Sequence, residues 1–336
     1  MRKILKLNHK AILCLLFIVS LIISILSGRF RLNINDFIYF FPQLLDYFKT
    51  GEYATPSFTI IFGIRLPRII LAISIGAALS IAGLIFQQIF KNPIASPDIL
   101  GVSSGASFGA ALAMILAFNI PHSIQLFSFI FGLLAVLIAY MIKKISKNDN
   151  ILYLVLSGII VSAFFSSLLS AVKYLADPYQ QLPSIVFWTM GGLYKANWSN
   201  TLFCLLLVLL LGYIFQKLSY KISILSMDED LAKTMGINVS RLRNSILILT
   251  SFMVAICVSI SGVIGWVALI IPHISRLIFK NDKGLTIYTG LIGAISLVLI
   301  DTVARSLTPS EIPIGILTSL IGAPILGYLI IVKKTI

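Results

Sequence analysis

Ten uninterrupted apolar runs, each near the length of a membrane-crossing helix, dominate this 336-residue chain. They occupy residues 12–27, 69–86, 105–119, 123–142, 151–172, 200–216, 245–261, 263–279, 285–304 and 314–332. Crossing a bilayer takes about 20 apolar residues as a helix, and fewer where the ends are anchored in protein. Such runs fold as helices because lipid offers no partner to a free backbone N–H or C=O. The pattern therefore predicts an all-α polytopic membrane protein with one transmembrane domain over 1–336. An outer loop falls at 28–64 and a long cytoplasmic segment at 217–244. Composition agrees, since 58% of residues are hydrophobic and only 11% charged, too few charges to coat a soluble surface.

An eleventh apolar piece, SIVFWTMGGL at 184–193, is too short to cross and reads as a half-helix or re-entrant segment. Runs seven and eight are separated only by SGVIG, which requires a tight glycine turn. The basic start MRKILKLNHK followed by an apolar run is like a signal peptide. SILSG is a poor cleavage site, however, and the first run is read as a retained span.

Ten spans place both termini on one side. With residue 1 inside, 18 of the 26 Lys and Arg fall in cytoplasmic segments, as the positive-inside rule demands. The net charge of +14 is therefore topological and not a nucleic-acid footprint, since no basic stripe interleaved with aromatics occurs. Cys14, Cys204 and Cys257 each stand alone in apolar runs, and His9, His122 and His273 are dispersed, so no metal site is expected.

Against the general bias, Arg65, Arg68 and Arg305 face outward. GIRLPRII at 63–70 places two of them around Pro67, a favoured first helical position. On that reading Arg68 sits at the positive end of a helix dipole, at a cost of about 0.3–1 kcal/mol. A stretch that breaks two local rules together is a candidate functional site.

The spans carry almost no ionisable residue at mid-depth, which argues against a carrier driven by an ion gradient, the competing functional class. No G-x-x-x-x-G-K phosphate loop occurs, so ATP hydrolysis by that route belongs to another chain. A docking point for such a motor is legible in SMDEDLAKTMGIN. Ser226 and Glu229 form a candidate capping box, Asp228, Glu229 and Asp230 suit the positive helix end, and Gly236 can end the helix. Small residues crowd 76–83, 101–110 and 156–171, where they allow close helix packing or line a polar passage; Ser157, Ser162 and Ser166 lie in the last. KNPIASPD (91–98) and IIPHISR (270–276) read as breaks at the inner ends of spans two and eight. SIAGLI at 80–85 echoes SISGVI at 259–264, in spans running oppositely, as an inverted repeat would.

Several stretches together resemble one family. They are RLPRIILAISIGAALSIAGLIFQ (65–87), NPIASPDILGVSSGASFGA (92–110), WTMGGLYKANW (188–198), DLAKTMGI (230–237), GVIGWVALIIPHISRLI (262–278), DTVAR (301–305) and PIGILTSLIGAPILGYLI (313–330). The chain resembles the integral-membrane permeases of bacterial type II ABC importers for iron–siderophore complexes, haem and cobalamin, the FecCD/BtuC-like permeases. The resemblance implies a permease subunit in the bacterial cell membrane, paired with a second permease, either a copy or a paralogue. It also implies two cytoplasmic ATPase subunits, which hold the ATP and Mg, and an extracytoplasmic substrate-binding protein. This chain itself would bind no cofactor and do no covalent chemistry. Arg65, Arg68 and Arg305 match docking points for acidic residues of the binding protein. The segment matching 227–240, with Leu231, Ala232, Met235 and Gly236, corresponds to the ATPase-coupling region. Span five and the half-helix, with Trp188, Met190 and Gly191, are similar to pathway and outer-gate elements, and the turn at Asn148, Asp149 and Asn150 to an inner gate. Iron–siderophore import is the expected role, with haem or cobalamin as the alternatives.

Overall fold

The computed structural model describes residues 9–53, 55–116, 120–146, 150–227, 234, 236, 238–279 and 284–332. Among them every regular element is helical. All ten apolar runs form helices: α1 (His9–Leu26), α4 (Pro56–Ile89), α5 (Val102–Ile115), α6 (Ser123–Ile145), α7 (Ile151–Leu175), α9 (Trp198–Met227), α10 (Val239–Ser261), α11 (Val267–Phe279), α12 (Leu285–Ser306) and α13 (Ile314–Val332). The half-helix is α8 (Gln181–Thr189). The chain is a multi-pass membrane protein.

Burial sorts the helices. In α4, 83% of the most apolar window is buried, against 28% for α6, α7 and α9, so α4 is the central post. It is apolar on all sides, as a helix surrounded by others must be. Close packing on α12 and α11 depends on small residues: a Cβ at Gly76 would collide with the Gly293 carbonyl, and one at Gly83 with that of Ala268. The short helices α5 and α11 have 14 and 13 residues, about 20 Å of rise, and sit within the bundle rather than against lipid along their whole length. The first run is an integral part of this bundle, since α1 packs along α12 and Thr302 Oγ1 donates to Ser24 Oγ at 2.9 Å.

The outer segment 28–64 is more ordered than a connecting loop. It contains α2 (Ile34–Ile38), α3 (Phe40–Thr50) and the first turns of α4. Phe40, Tyr47, Tyr53, Phe58 and Phe62 form a ring cluster that joins α3 to α4, extended by Trp198, whose Nε1 donates to the Phe62 carbonyl at 3.0 Å.

Two prolines do not act as the sequence suggested. Pro67 does not begin a helix: α4 starts at Pro56, where Thr55 Oγ1 accepts from the Phe58 N–H at 3.2 Å. Between them Thr59–Arg65 winds as a π-helix, with the Leu66 N–H bonded to the Ile61 carbonyl. Pro67 has no N–H, and its ring would strike the carbonyl four residues back; the wider turn relieves both problems. The positive helix pole therefore lies more than two turns upstream of Arg65 and Arg68, beyond the reach of the dipole penalty. Likewise IIPHISR is no break, because α11 continues through Pro272. Beside Pro272, which leaves the Ala268 carbonyl without its helical donor, α4 adds a bond to the next carbonyl: Gln87 Nε2 donates to that of Leu269 at 2.9 Å, and Gln87 Oε1 accepts from Arg276.

Candidate functional site: an arginine–carboxylate cluster at the outer end

Arg65 and Arg68 on α4 meet Arg305 at the end of α12, and all three are buried, with 4%, 7% and 9% of their surface exposed. Each is engaged within the chain. Arg68 Nε and Nη2 lie 2.9 Å from Asp301 Oδ1, and Nη1 lies 2.9 Å from both carboxylate oxygens of Glu311. Arg305 Nε is 3.6 Å from Asp301 Oδ2, one helical turn away. Asp301 is thus a buried counter-ion shared between two guanidiniums, not a proton relay.

The remaining donors turn to α1. Arg305 Nη1 donates to the Ser27 carbonyl at 2.8 Å, while Nη2 bonds the Ser24 carbonyl and, at 3.0 Å, Ser24 Oγ. Arg65 Nη1 donates to the Ile25 carbonyl, and its Nη2 to that of Phe30 at 2.7 Å. Ser24, Ile25 and Ser27 are at the C-terminal end of α1, where carbonyls lack intrahelical partners and the dipole is negative. Cations there are favourable. Arg65 and Arg305 thus lie at the favourable, negative end of α1, and Arg68 between two carboxylates, instead of at the wrong end of α4. Gly28 completes the arrangement with φ +152, and a Cβ on it would come within 2.6 Å of Arg65 Nη2.

Sequence reasoning missed Glu311, Ser24 and Gly28. Glu311 is visible in SEIPIG as the first acid after Asp301, but its partner is 243 residues distant in the chain.

The FecCD transport family matches residues 15–332. This chain belongs to that family. The FecCD chain is 40% identical over 320 residues to the molybdate import system permease protein MolB of Haemophilus influenzae, covering 95% of this chain and 94% of the relative. An iron chelatin transport system permease of Helicobacter pylori is 36% identical, over 97% and 98% of the two chains. The hemin permease HmuU of Yersinia pestis is 34% identical over 81% and 83%. A solved structure described as an inward-facing conformation of a metal-chelate type ABC transporter superposes with a TM-score of 0.86. It is 38% identical and covers 97% of this chain and 99% of that one. The protein is therefore an ABC importer permease, a translocation subunit of the cell membrane.

Other predicted site residues of this FecCD permease fall elsewhere. Trp188 is buried, and Met190 and Gly191 enter a backbone junction at the end of α8. There the Gly192 N–H donates to the Ser261 carbonyl at 2.7 Å, Ile314 to Gly191 at 2.9 Å, and Gly315 to Met190 at 3.0 Å. WTMGGL, SGVIG and PIGIL thus converge from three parts of the chain, and Gly191 and Gly262 have φ of 70° and 69°. On α7, Ser157 is buried and donates back to the Tyr153 carbonyl at 2.7 Å, a packing role. Ser162 is half-buried, and Ser166 is exposed on the same helix. Asn150 caps α7, accepting from the Leu152 N–H at 3.0 Å, whereas Asn148 and Asp149 lie outside the described residues.

Ser226 is not the N-cap of a separate short helix: α9 carries on to Met227. No glycine or proline interrupts 213–227, and Ile222, Ile224 and Leu225 are buried. Asp228, Glu229, Asp230, Leu231, Ala232 and Met235 lie outside the described residues. Gly236 has φ of 74°, and Asn238 caps α10 by accepting from the Arg241 N–H at 3.0 Å. Among the described residues no group of three or more His, Cys, Asp or Glu could hold a metal ion.

Proposed function

We propose that this FecCD-family permease forms half of the translocation pathway of an importer for iron–siderophore complexes. A second permease would complete the pathway, two cytoplasmic ATPases would drive it through the segment 227–240, and a substrate-binding protein would dock on the outer face around Arg65, Arg68 and Arg305. The observation carrying this reading is the character of α7. Its uncovered face presents Leu156, Ile159, Ile160, Phe164 and hydroxyls such as Ser166, with no acid or imidazole from Ile151 to Leu175. A passage without strong ligands suits a metal whose coordination shell a chelator already fills, because the protein need not replace those bonds. Near-full-length relatives named for iron chelatin and Fe(3+)-citrate transport support the same cargo class. Leu320 and Ile321 of α13 are exposed as well, giving apolar surface for a second permease.

The second reading is molybdate, favoured by the 40% identity to the Haemophilus influenzae permease. Vesicles containing the permease with its ATPase, given the binding protein and ATP, decide between them. The proposal expects uptake of a labelled ferric siderophore that excess molybdate leaves unchanged. Molybdate uptake alone would overturn the cargo assignment, and transport without ATPase would overturn the importer mechanism.

A further inference from the structure

At the opposite, cytoplasmic side of the bundle, α6 and α10 pack together and leave a groove of about 670 Å³ between them. That volume is in the range of pre-formed ligand sites. Two contacts fix the relative direction of the helices. Phe129 meets Phe252 edge-on, with ring centroids 5.5 Å apart, and nearer the cytoplasm Tyr140 Oη donates to Asn244 Oδ1 at 3.1 Å. The walls of the groove are apolar, with Leu133, Val136 and Leu137 from α6 facing Ile248 and Phe252 from α10. Leu137, Met141 and Ile248 are exposed, so the groove is open at the surface of the bundle. Its cytoplasmic end is lined by Lys143, which is buried, and Lys144, which is exposed. Arg241 and Arg243 stand in the first turns of α10, and neither helix contains an Asp or Glu.

We propose that this groove holds one anionic phospholipid of the cytoplasmic leaflet, with its phosphate at Lys143 and Lys144 and an acyl chain laid between α6 and α10. Three observations select that occupant. The first is length. From Leu133 to Lys144 the groove follows α6 for about 17 Å, at 1.5 Å of rise per residue. One leaflet contributes about 15 Å of a hydrocarbon core about 30 Å thick, so the groove runs from headgroup level to the Phe129–Phe252 pair near mid-membrane. The second is charge. Lysines that top an apolar wall, with no acid on either helix, match a lipid that is anionic at its head and apolar along its chain. The third is the polar pair. Asn244 lies about one turn below Lys144, the depth of the glycerol esters, and among the described residues its Nδ2 is left to donate once Oδ1 has accepted from Tyr140. A cation in the last turn of a helix is favourable anywhere, so the lysines alone would identify no site; the groove beneath them does. Both helices are also separate from α7 and α13, which carry the pathway face and the surface for a second permease in the reading above.

The test uses the full-length chain, in the complex with which it purifies, stripped of lipid in detergent and titrated with phosphatidylglycerol or phosphatidylcholine under native mass spectrometry. The wild type is expected to bind phosphatidylglycerol at least about fivefold more tightly than phosphatidylcholine. Lys144→Gln should lower the phosphatidylglycerol affinity about fivefold and leave phosphatidylcholine unchanged, while Lys144→Arg keeps the preference. Leu137→Trp, which fills the groove from an exposed position and retains both lysines, should weaken both lipids by about fivefold or more. Melting in lipid-free detergent should be the same for all variants, since Leu137 and Lys144 are exposed. Equal wild-type affinity for the two lipids overturns the proposal, as does an unchanged phosphatidylglycerol affinity in Lys144→Gln. An effect of Lys144→Gln with none of Leu137→Trp assigns the lysines to loose surface attraction and also overturns it. Competition by inorganic phosphate at the same concentration as the lipid would make the ligand a free anion, and overturns it too.

Discussion

Asp301→Ala should be the most damaging single change at the outer end, and its cost can be worked from the geometry. Asp301 is 1% exposed and accepts from Arg68 Nε and Nη2, with Arg305 Nε 3.6 Å away. Its removal leaves Arg68 with Glu311 alone and Arg305 without a counter-ion, both still buried. Breaking a buried pair by deleting one partner costs about 3–5 kcal/mol, since the surviving charge is uncompensated. The second guanidinium and the attached end of α1 place this case at the upper part of that range. Unfolding in mixed micelles by SDS titration, followed by tryptophan fluorescence, measures it. The companion variant Arg68→Ala with Asp301→Ala removes the principal pair together and should be less destabilised than the sum of its single changes by about 1–3 kcal/mol. A loss below about 1 kcal/mol for Asp301→Ala, or strict additivity in the double variant, would refute the shared counter-ion argument.

Two further changes probe separate supports, one beneath the outer cluster and one at the other end of α4. Gly28→Ala introduces a Cβ 2.6 Å from Arg65 Nη2 at φ +152, and should destabilise by about 1–3 kcal/mol in the same titration, with faster proteolysis at 28–31. Gln87→Ala removes the bond to the Leu269 carbonyl beside Pro272 and an acceptor from the half-buried Arg276, for about 1–3 kcal/mol; Gln87→Glu, which keeps only the acceptor, should recover part of the loss.

Arg68 illustrates how much could be foreseen. GIRLPRII marks an outward cation pair from charge counting alone, because sidedness follows from local apolar runs and the distribution of Lys and Arg. Its chemistry could not be read there, because the carboxylates it meets are 233 and 243 residues away. Pro67 misled for a related reason. Proline at a first helical turn is a sound local rule, but a π-helical segment lets the helix begin earlier, and the aromatic cluster around Phe58 supports that extension. Ser226 shows the reverse error, since the residue read as an N-cap falls within a helix that continues to Met227, past the buried Ile222 and Leu225.

The helical state of the ten apolar runs, their expected sidedness and the family were legible in the sequence itself. Each rests on a property of a contiguous stretch: apolar length, loop charge, or a motif in order. Tertiary structure alone decided which cations are spent internally and which remain exposed. α4, α12 and α1 meet at one end of the bundle, and there the unpaired carbonyls that close α1 select Arg65 and Arg305. Asp301 and Glu311 select Arg68, while Arg29 and Arg31 beside them stay exposed. Burial makes an unpaired charge or carbonyl costly, so partners were allotted by proximity across hundreds of residues rather than by spacing along the chain.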